Sequence, residues 1–348
     1  MSEQKKNILG LTFEKLKSEF LNFGFTILDA KRVFPWIHVK LATSFDEMSD
    51  LPKQTREKLE EFFSLEKPIC KILQKSLDGS RTALLELSDG NLTETVFIPE
   101  KNRNTVCVST QIGCAMKCKF CYTGTQQFAR NLTASEIMAQ IFFWKDMLKS
   151  EKFEYASLSN IVFMGMGEPL LNFSNVSDAL EILLAPKAHN FSRKKITVST
   201  SGIVTDDIIK LAKHGVKLAI SLHAPNNQKR SSIMPINNKY HIEEILDVAK
   251  KYLTMSKTDH ITFEYLLLKN LNDSREDAKQ LVKLLHGIRC KVNLIIFNAW
   301  PGSELQGSSR ESADEFAKFL IFRGLRATVR KSKGEDILAA CGQLKSAK

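Results

Sequence analysis

TVCVSTQIGCAMKCKFC, residues 105–121, carries the reading on which the fold turns. Five of its first six residues are apolar or β-branched, as in a strand buried on both faces, and a loop follows in which Cys114, Cys118 and Cys121 fall within eight residues. A loop at the C-terminal end of a strand is where an α/β barrel assembles its chemistry. Three thiolates at this spacing suit a [4Fe–4S] cube with one iron open to a chelating ligand. A zinc ion completed by a fourth Cys or a His from elsewhere is the other reading of the same spacing.

Working outward, TVCVST is the first of a series. SNIVFMG, KKITVST, VKLAISL, HITFEYLLL and KVNLIIF follow it, alternating with amphipathic stretches such as TASEIMAQIFFWKDMLK, HIEEILDVAKKYL and SREDAKQLVKLLHG. This alternation implies parallel strands joined by right-handed crossovers. Six units are too few for a closed eight-stranded barrel, so the predicted fold is α/β, an open partial (β/α)6 barrel over residues 104–344. Residues 1–75 carry Lys, Glu, Leu and Phe at helical spacing, with Pro52 and Thr55 as start signals, and predict a helical accessory domain. Residues 76–103 read as a short antiparallel β connector, with hairpin turns at Asp78-Gly79 and Asp89-Gly90.

The 348 residues include seven cysteines, an odd number with three clustered, which is no secreted disulfide framework. The start carries no leader pattern, and no apolar run reaches the roughly 18 residues of a membrane span. A soluble cytoplasmic protein without membrane attachment is expected. A formal charge of +11 and a pI near 9.2 point to a polyanionic partner. The tracts KAHNFSRKK (187–195) and FRGLRATVRKSKG (322–334) can contact phosphates, or can be solvated faces. After the second strand stands GMGEP, residues 165–169, whose glycines let backbone approach a ligand and whose Glu168, read as exposed, can accept hydrogen bonds from an ammonium. Alone it could be an ordinary strand-to-helix turn.

The cysteine loop, with Phe120 before its last cysteine and GEP one strand later, resembles the radical S-adenosylmethionine (SAM) superfamily. With RNLTASEI, FMGMGEPL, VSTSGI, SLHAP, MPIN, FNAWPGS and ILAACGQL added, the chain is similar to the RlmN/Cfr family of radical SAM RNA methyltransferases over nearly all of residues 80–344. The resemblance implies that Cys114, Cys118 and Cys121 ligate the cluster and that SAM chelates its open iron. It implies that Gly167 and Glu168 meet the methionine ammonium, and that Ser199, Ser221, Leu222, His223 and Asn298 contact the rest of SAM.

The same resemblance supplies a mechanism with two SAM molecules per turnover. Cys341 takes a methyl group from the first, and the 5′-deoxyadenosyl radical from the second removes hydrogen from that S-methyl group. The methylene radical then adds to C2 of adenine, a carbon between two ring nitrogens and too electron-poor to attack a sulfonium methyl itself. Cys107 resolves the covalent RNA adduct by deprotonating C2, which leaves a Cys107–Cys341 disulfide for an external reductant such as flavodoxin; Glu94 matches a proton acceptor. Pro169 and FNAWPGS resemble the RlmN branch, which implies 23S rRNA (adenosine 2503) and tRNA (adenosine 37) as substrates and a monomeric enzyme. The alternatives are C8 methylation of the same 23S adenosine, as in the Cfr branch, and a zinc RNA-binding module without catalysis. Ala299 and Trp300 depart from the Pro-Phe pair expected there, and Tyr122 is a bulky neighbour of the cluster; Cys70 and Cys290 belong to no motif.

Overall fold

The computed structural model describes residues 5–151, 158–256 and 258–346. Its spine is a ten-stranded sheet in which the strands lie side by side in chain order. They are β1 (Ile69–Lys75), β2 (Arg81–Glu86), β3 (Leu92–Glu100), β4 (Arg103–Cys107), β5 (Asn160–Phe163), β6 (Ile196–Thr200), β7 (Lys217–Ser221), β8 (Ile261–Leu267), β9 (Cys290–Ile296) and β10 (Arg326–Val329). The pairings from β4 to β10 are all parallel, and β1 to β3 run antiparallel onto β4. The six strands expected from the sequence are therefore present in their expected order.

A seventh parallel strand, β10, follows them, inside the basic tract 322–334. It is an edge strand whose residues alternate between exposed and half-buried, so it lacks the continuous apolar run that marked the others. The connector is an extension of the same sheet. Its hairpins turn where Asp78 accepts from the Ser80 N–H at 2.9 Å and Asp89 from the Asn91 N–H at 3.0 Å, each with a glycine at positive φ. Its first strand starts at Ile69, ahead of the boundary drawn at residue 76.

Helices α1 (Phe13–Asn22), α2 (Ile27–His38) and α3 (Lys53–Phe62) form the N-terminal unit. Thr26 and Asp29 close a capping box on α2, and Pro52 precedes α3 as its N-cap. The unit docks on the helix between β4 and β5, α4 (Ala134–Ser150), through Gly10. The Gly10 N–H donates to Ser135 Oγ at 3.0 Å, and a Cβ there would lie 2.1 Å from the Ser135 nitrogen. Only glycine permits that approach.

The parallel strands bury Val106, Ile161, Val198, Leu218, Phe263 and Val292 on their helix-covered face. The opposite face is polar: Thr105 pairs with Asn160, Thr197 with Lys217, Thr262 with Lys291, and Glu264 with Asn293. A closed barrel fills its interior with branched apolar residues. This one leaves a cavity that these side chains line.

Beyond β10 the chain returns across the sheet. Ser76 donates to Asp336, the Gly334 N–H to Asp78, and the Lys345 N–H to Glu94, tying the C-terminal segment to the connector. The run ILAACGQL has a helical-looking composition, yet Cys341 lies outside any helix. Leu338, Gly334 and Gly342 have φ of 52°, 70° and 84°, values no right-handed helix contains, and only the short turn Glu335–Ile337 is helical.

The loop after β4 is pinned by Gln140 on α4, which is fully buried. Its Oε1 accepts from the Ser109 N–H at 2.8 Å and its Nε2 donates to the Ser109 carbonyl at 3.0 Å. Replacing Gln140 by Leu strands both backbone groups at about 1–3 kcal/mol each. Gln140→Leu is expected to lower unfolding free energy by about 2–5 kcal/mol in urea titration.

Candidate active site

Past Ser109 the chain turns at Gly113 (φ 71°), where a Cβ would meet the Gln127 carbonyl oxygen at 2.1 Å. The three cysteines follow. Burial pushes the Cys114 thiol up to about 12, with Cys121 and Glu168 adding to the rise. Cys118 rises well above the ordinary thiol range through burial, then through Cys121 and Cys114. The three sulfurs thus sit within electrostatic reach of one another in a low-dielectric pocket, which makes the free thiolates costly and a cationic inorganic partner favourable. Among the described residues, no three His, Cys, Asp or Glu side chains converge as ligands of one metal ion. A cube, whose thiolates each take a different iron, does not require that convergence.

Gly167 and Glu168 stand across the same cavity. Gly167 has φ 97° and no room for a side chain, since a Cβ would lie 2.5 Å from that of Gln111. Glu168 was read as exposed, and the structure corrects this: it is 3% exposed. The turn folds inward, so that Oε2 accepts from the Ser201 N–H at 2.7 Å and Oε1 from the Leu170 N–H at 3.1 Å. Burial raises its pKa against these two hydrogen bonds. An ammonium placed in the cavity would restore the counter-charge that burial removes.

Ser199 and Ser221, on β6 and β7, line this cavity with His223. His223 sits at φ 56°, and its Nδ1 accepts from the Leu266 N–H at 3.0 Å. Burial lowers its pKa to about 3, so it is a neutral ring, packed edge-on to Phe120 at 4.7 Å. Leu222 turns its side chain into the core, leaving only backbone near the site. The Asn298 amide is engaged elsewhere: Nδ2 donates to the Cys341 carbonyl at 3.3 Å and Oδ1 accepts from Ser332 at 2.7 Å. Asn298 thereby holds the Cys341 segment.

Cys107, at the end of β4, and Cys341 line the larger cavity, and Cys341 also lines the cysteine-loop cavity. The two cavities share walls at Cys121, Met164, Gly165 and Cys341. Burial pushes the Cys107 thiol up to about 12, Cys341 raises it further, and Arg330 opposes the rise. Glu94 lies on the same face of β3 as Val96 and accepts from the Lys345 N–H at 2.7 Å, while burial lifts its pKa to about 7. All seven cysteines are free; Cys70 is exposed on β1 and Cys290 is buried at the start of β9, both apart from these cavities.

Two charged residues face both cavities: Glu264, which sequence reasoning passed over, and Arg330, named there only as part of the basic tract 322–334. Glu264 Oε1 accepts from Asn293 at 3.0 Å, and Oε2 is buried without a partner among the described residues. The signal was present, since a glutamate inside the apolar run HITFEYLLL does not suit a strand buried on both faces. The family departures prove to be one feature. Tyr122 stacks on Trp300 with centroids 4.9 Å apart and planes at 11°, and Trp300 Nε1 donates to the Phe120 carbonyl at 3.1 Å.

Alanine at 167 would need a backbone conformation costing about 1–3 kcal/mol and would push on Gln111, whose Oε1 holds the Glu168 N–H at 2.8 Å. Gly167→Ala is expected to lower unfolding free energy by about 1–3 kcal/mol in urea titration.

Comparison with known proteins agrees with this geometry. The Radical SAM superfamily model matches residues 108–285, and the Ribosomal RNA large subunit methyltransferase N-terminal domain model matches residues 6–65. A protein named dual-specificity RNA methyltransferase RlmN from Francisella tularensis subsp. novicida is 44% identical over 347 residues, 99% of this chain and 94% of that one. A protein of the same name from Paracoccus denitrificans is 43% identical over 353 residues, covering 98% and 90% of the two chains. The crystal structure of a radical SAM methyltransferase from Sphaerobacter thermophilus matches with a TM-score of 0.92 at 38% identity, over 98% of this chain and 100% of that one. With such identity along nearly its whole length, the chain belongs to the RlmN family of radical SAM RNA methyltransferases, which use a [4Fe–4S] cluster and SAM.

Proposed function

We propose that this enzyme methylates C2 of adenosine, at adenosine 2503 of 23S rRNA and adenosine 37 of tRNA, with Cys341 as methyl carrier and Cys107 as resolving thiol. The observation that carries the reading is the pairing of those two thiols on one cavity wall, with Cys341 near enough to raise the Cys107 thiol, in a cavity continuous with that of the cysteine loop. The name dual-specificity on the Francisella and Paracoccus relatives supports two RNA substrates.

Cys114, Cys118 and Cys121 would hold the cluster, with Gly167 and Glu168 at the methionine ammonium of SAM and Ser199, Ser221 and His223 along the rest. When bound, the cluster and SAM supply the methyl group and the carbon radical that adenine C2 requires. The chain's own part is placement and proton handling. Asn298 fixes the backbone of Cys341 so that Sγ faces the cavity. Cys341 Sγ accepts the methyl group, and that carbon then bridges sulfur and C2. Cys107, buried and protonated at rest, must give up its proton before it can take the one on C2, and Glu94 is the carboxylate assigned to that exchange. Breaking the carbon–sulfur link joins Cys107 to Cys341 as a disulfide, and an external donor such as flavodoxin reopens it. The same reading makes the enzyme a cytoplasmic monomer, with the helical unit ahead of Ile69 as its RNA-binding accessory domain, β1 to β3 as connector and the strands from β4 onward as catalytic barrel. No helix among the described residues is long and apolar enough to cross a membrane.

Mass spectrometry of digested 23S rRNA and tRNA should show 2-methyladenosine that disappears with the gene; 8-methyladenosine, or no change, would overturn the assignment. Cys107→Ala should accumulate a covalent RNA–protein species on denaturing gels, and Cys341→Ala none. A Glu94 carboxyl with a pKa near 7 accepts protons only above that pH. The single-turnover methylation rate should therefore fall about ten-fold per unit as pH drops below 7, and Glu94→Gln should be slow and flat over the same range.

A further inference from the structure

The larger cavity continues past Cys107 and Cys341 to the opposite end of the strands, and its far mouth is ringed by cations. Arg103, Lys217 and Lys291 line it at the first positions of β4, β7 and β9 or the next, and Arg326, the register partner of Lys291, opens β10 beside them. The short helical turn Arg193–Lys195 leads directly into β6 at the same end. Both basic tracts noted in the sequence therefore converge on one opening.

These charges repel one another. Burial lowers the Lys217 pKa first, and Lys291, Lys195, Arg103 and Lys194 lower it further. His260, just ahead of β8, is lowered by burial and then by Lys291, Lys217 and Arg326. The acidic groups at this end are few: Glu100 pairs with Arg103 at 2.8 Å, and Asp259 acts on His260. Lys217, Lys291 and Arg326 form no ion pair among the described residues. A ring of like charge costs the folded protein stability, and an arriving polyanion removes that cost.

From the ring a polar wall leads inward through Asn160, Thr197, Thr262 and Asn293 to Glu264 and the two cysteines. Side chains of this kind can hydrogen-bond a base edge, whereas phosphates stay in the solvated rim. At the other end of the barrel Trp300 stacks on Tyr122 and donates to the Phe120 carbonyl of the cysteine loop.

We propose that RNA docks on the N-terminal end of the parallel strands, with backbone phosphates on Arg103, Lys217, Lys291 and Arg326 and the target base inserted along the polar wall toward Cys107 and Cys341. The proposal rests on the reading of the chain as an RNA methyltransferase. Insertion from this side brings the base, unstacked from its neighbours, to the thiols.

The test is Lys217→Gln/Lys291→Gln in the full-length, cluster-loaded protein, with Lys217→Gln alone as a milder variant and Lys279→Gln/Lys283→Gln on the outer helix Arg275–Leu285 as a charge-matched control. Removing repulsion spares the fold, and iron content verifies it. Binding of a tRNA transcript, followed over a salt series, should weaken about ten-fold or more in the double variant. Its slope of log affinity against log salt should shrink by roughly 0.7–0.9 per phosphate contact removed, and the control should match wild type. Wild-type affinity and slope in the double variant, with wild type still methylating RNA, overturn the docking face alone. A wild-type protein that neither binds nor methylates RNA overturns the docking face and the methyltransferase reading together.

Discussion

Ser109 stands where four segments must be held together for the site to exist. Its Oγ donates to the Glu94 carbonyl at 2.6 Å and accepts from the Met166 N–H at 2.8 Å, while its own N–H and carbonyl are taken by Gln140. Connector, cysteine loop, GMGEP turn and α4 thus meet on one residue. Gly165 must be glycine for this to happen, because a Cβ there would sit 2.6 Å from Ser109 Oγ. Glu94, whose backbone Ser109 holds, in turn holds the segment bearing Cys341 through the Lys345 N–H. A hydroxyl with one donor and two acceptor sites is well suited to such a junction, and its burial makes each of the bonds costly to lose.

The chamber built around this junction is charged yet largely shielded from water. Glu168 and Glu264 have raised pKa values from burial, and Arg330 is held charged by Cys341 above all and then by Glu264 and Cys107, against its own burial. Arg230, fully buried, is instead a structural cation: it donates to the carbonyls of Ser201, Ser221 and Leu222 and to Asn237 Oδ1. It ties the C-terminal ends of β6 and β7 together. Fixed dipoles and charges in a low-dielectric chamber act more strongly than in water and need no rearrangement at the moment of reaction.

Sequence reading succeeded where the controlling physics is local. The strands and their order followed from apolar runs between amphipathic helices, and the hairpins from Asp-Gly turns. It failed at β10, where an edge strand shows no apolar run, and at Cys341, where a helical-looking composition gives way to backbone at positive φ. Glu168 was misjudged because exposure in a turn depends on which way the turn folds, and Ser201 on the next strand draws this one inward.

What the sequence by itself determined is the series of parallel strands, the three-cysteine loop at the end of the first, and the family to which the chain belongs. Only the tertiary structure decided which face of each strand looks inward. A strand with side chains buried on both sides carries no label for lumen or helix layer, so Lys217, Lys291 and Glu264 could be seen to share a cavity only once the sheet had curled. The meeting of Cys107 with Cys341, and of Glu94 with Lys345, was likewise set by a C-terminal segment that folds back over the sheet through hydrogen bonds between residues remote in the chain.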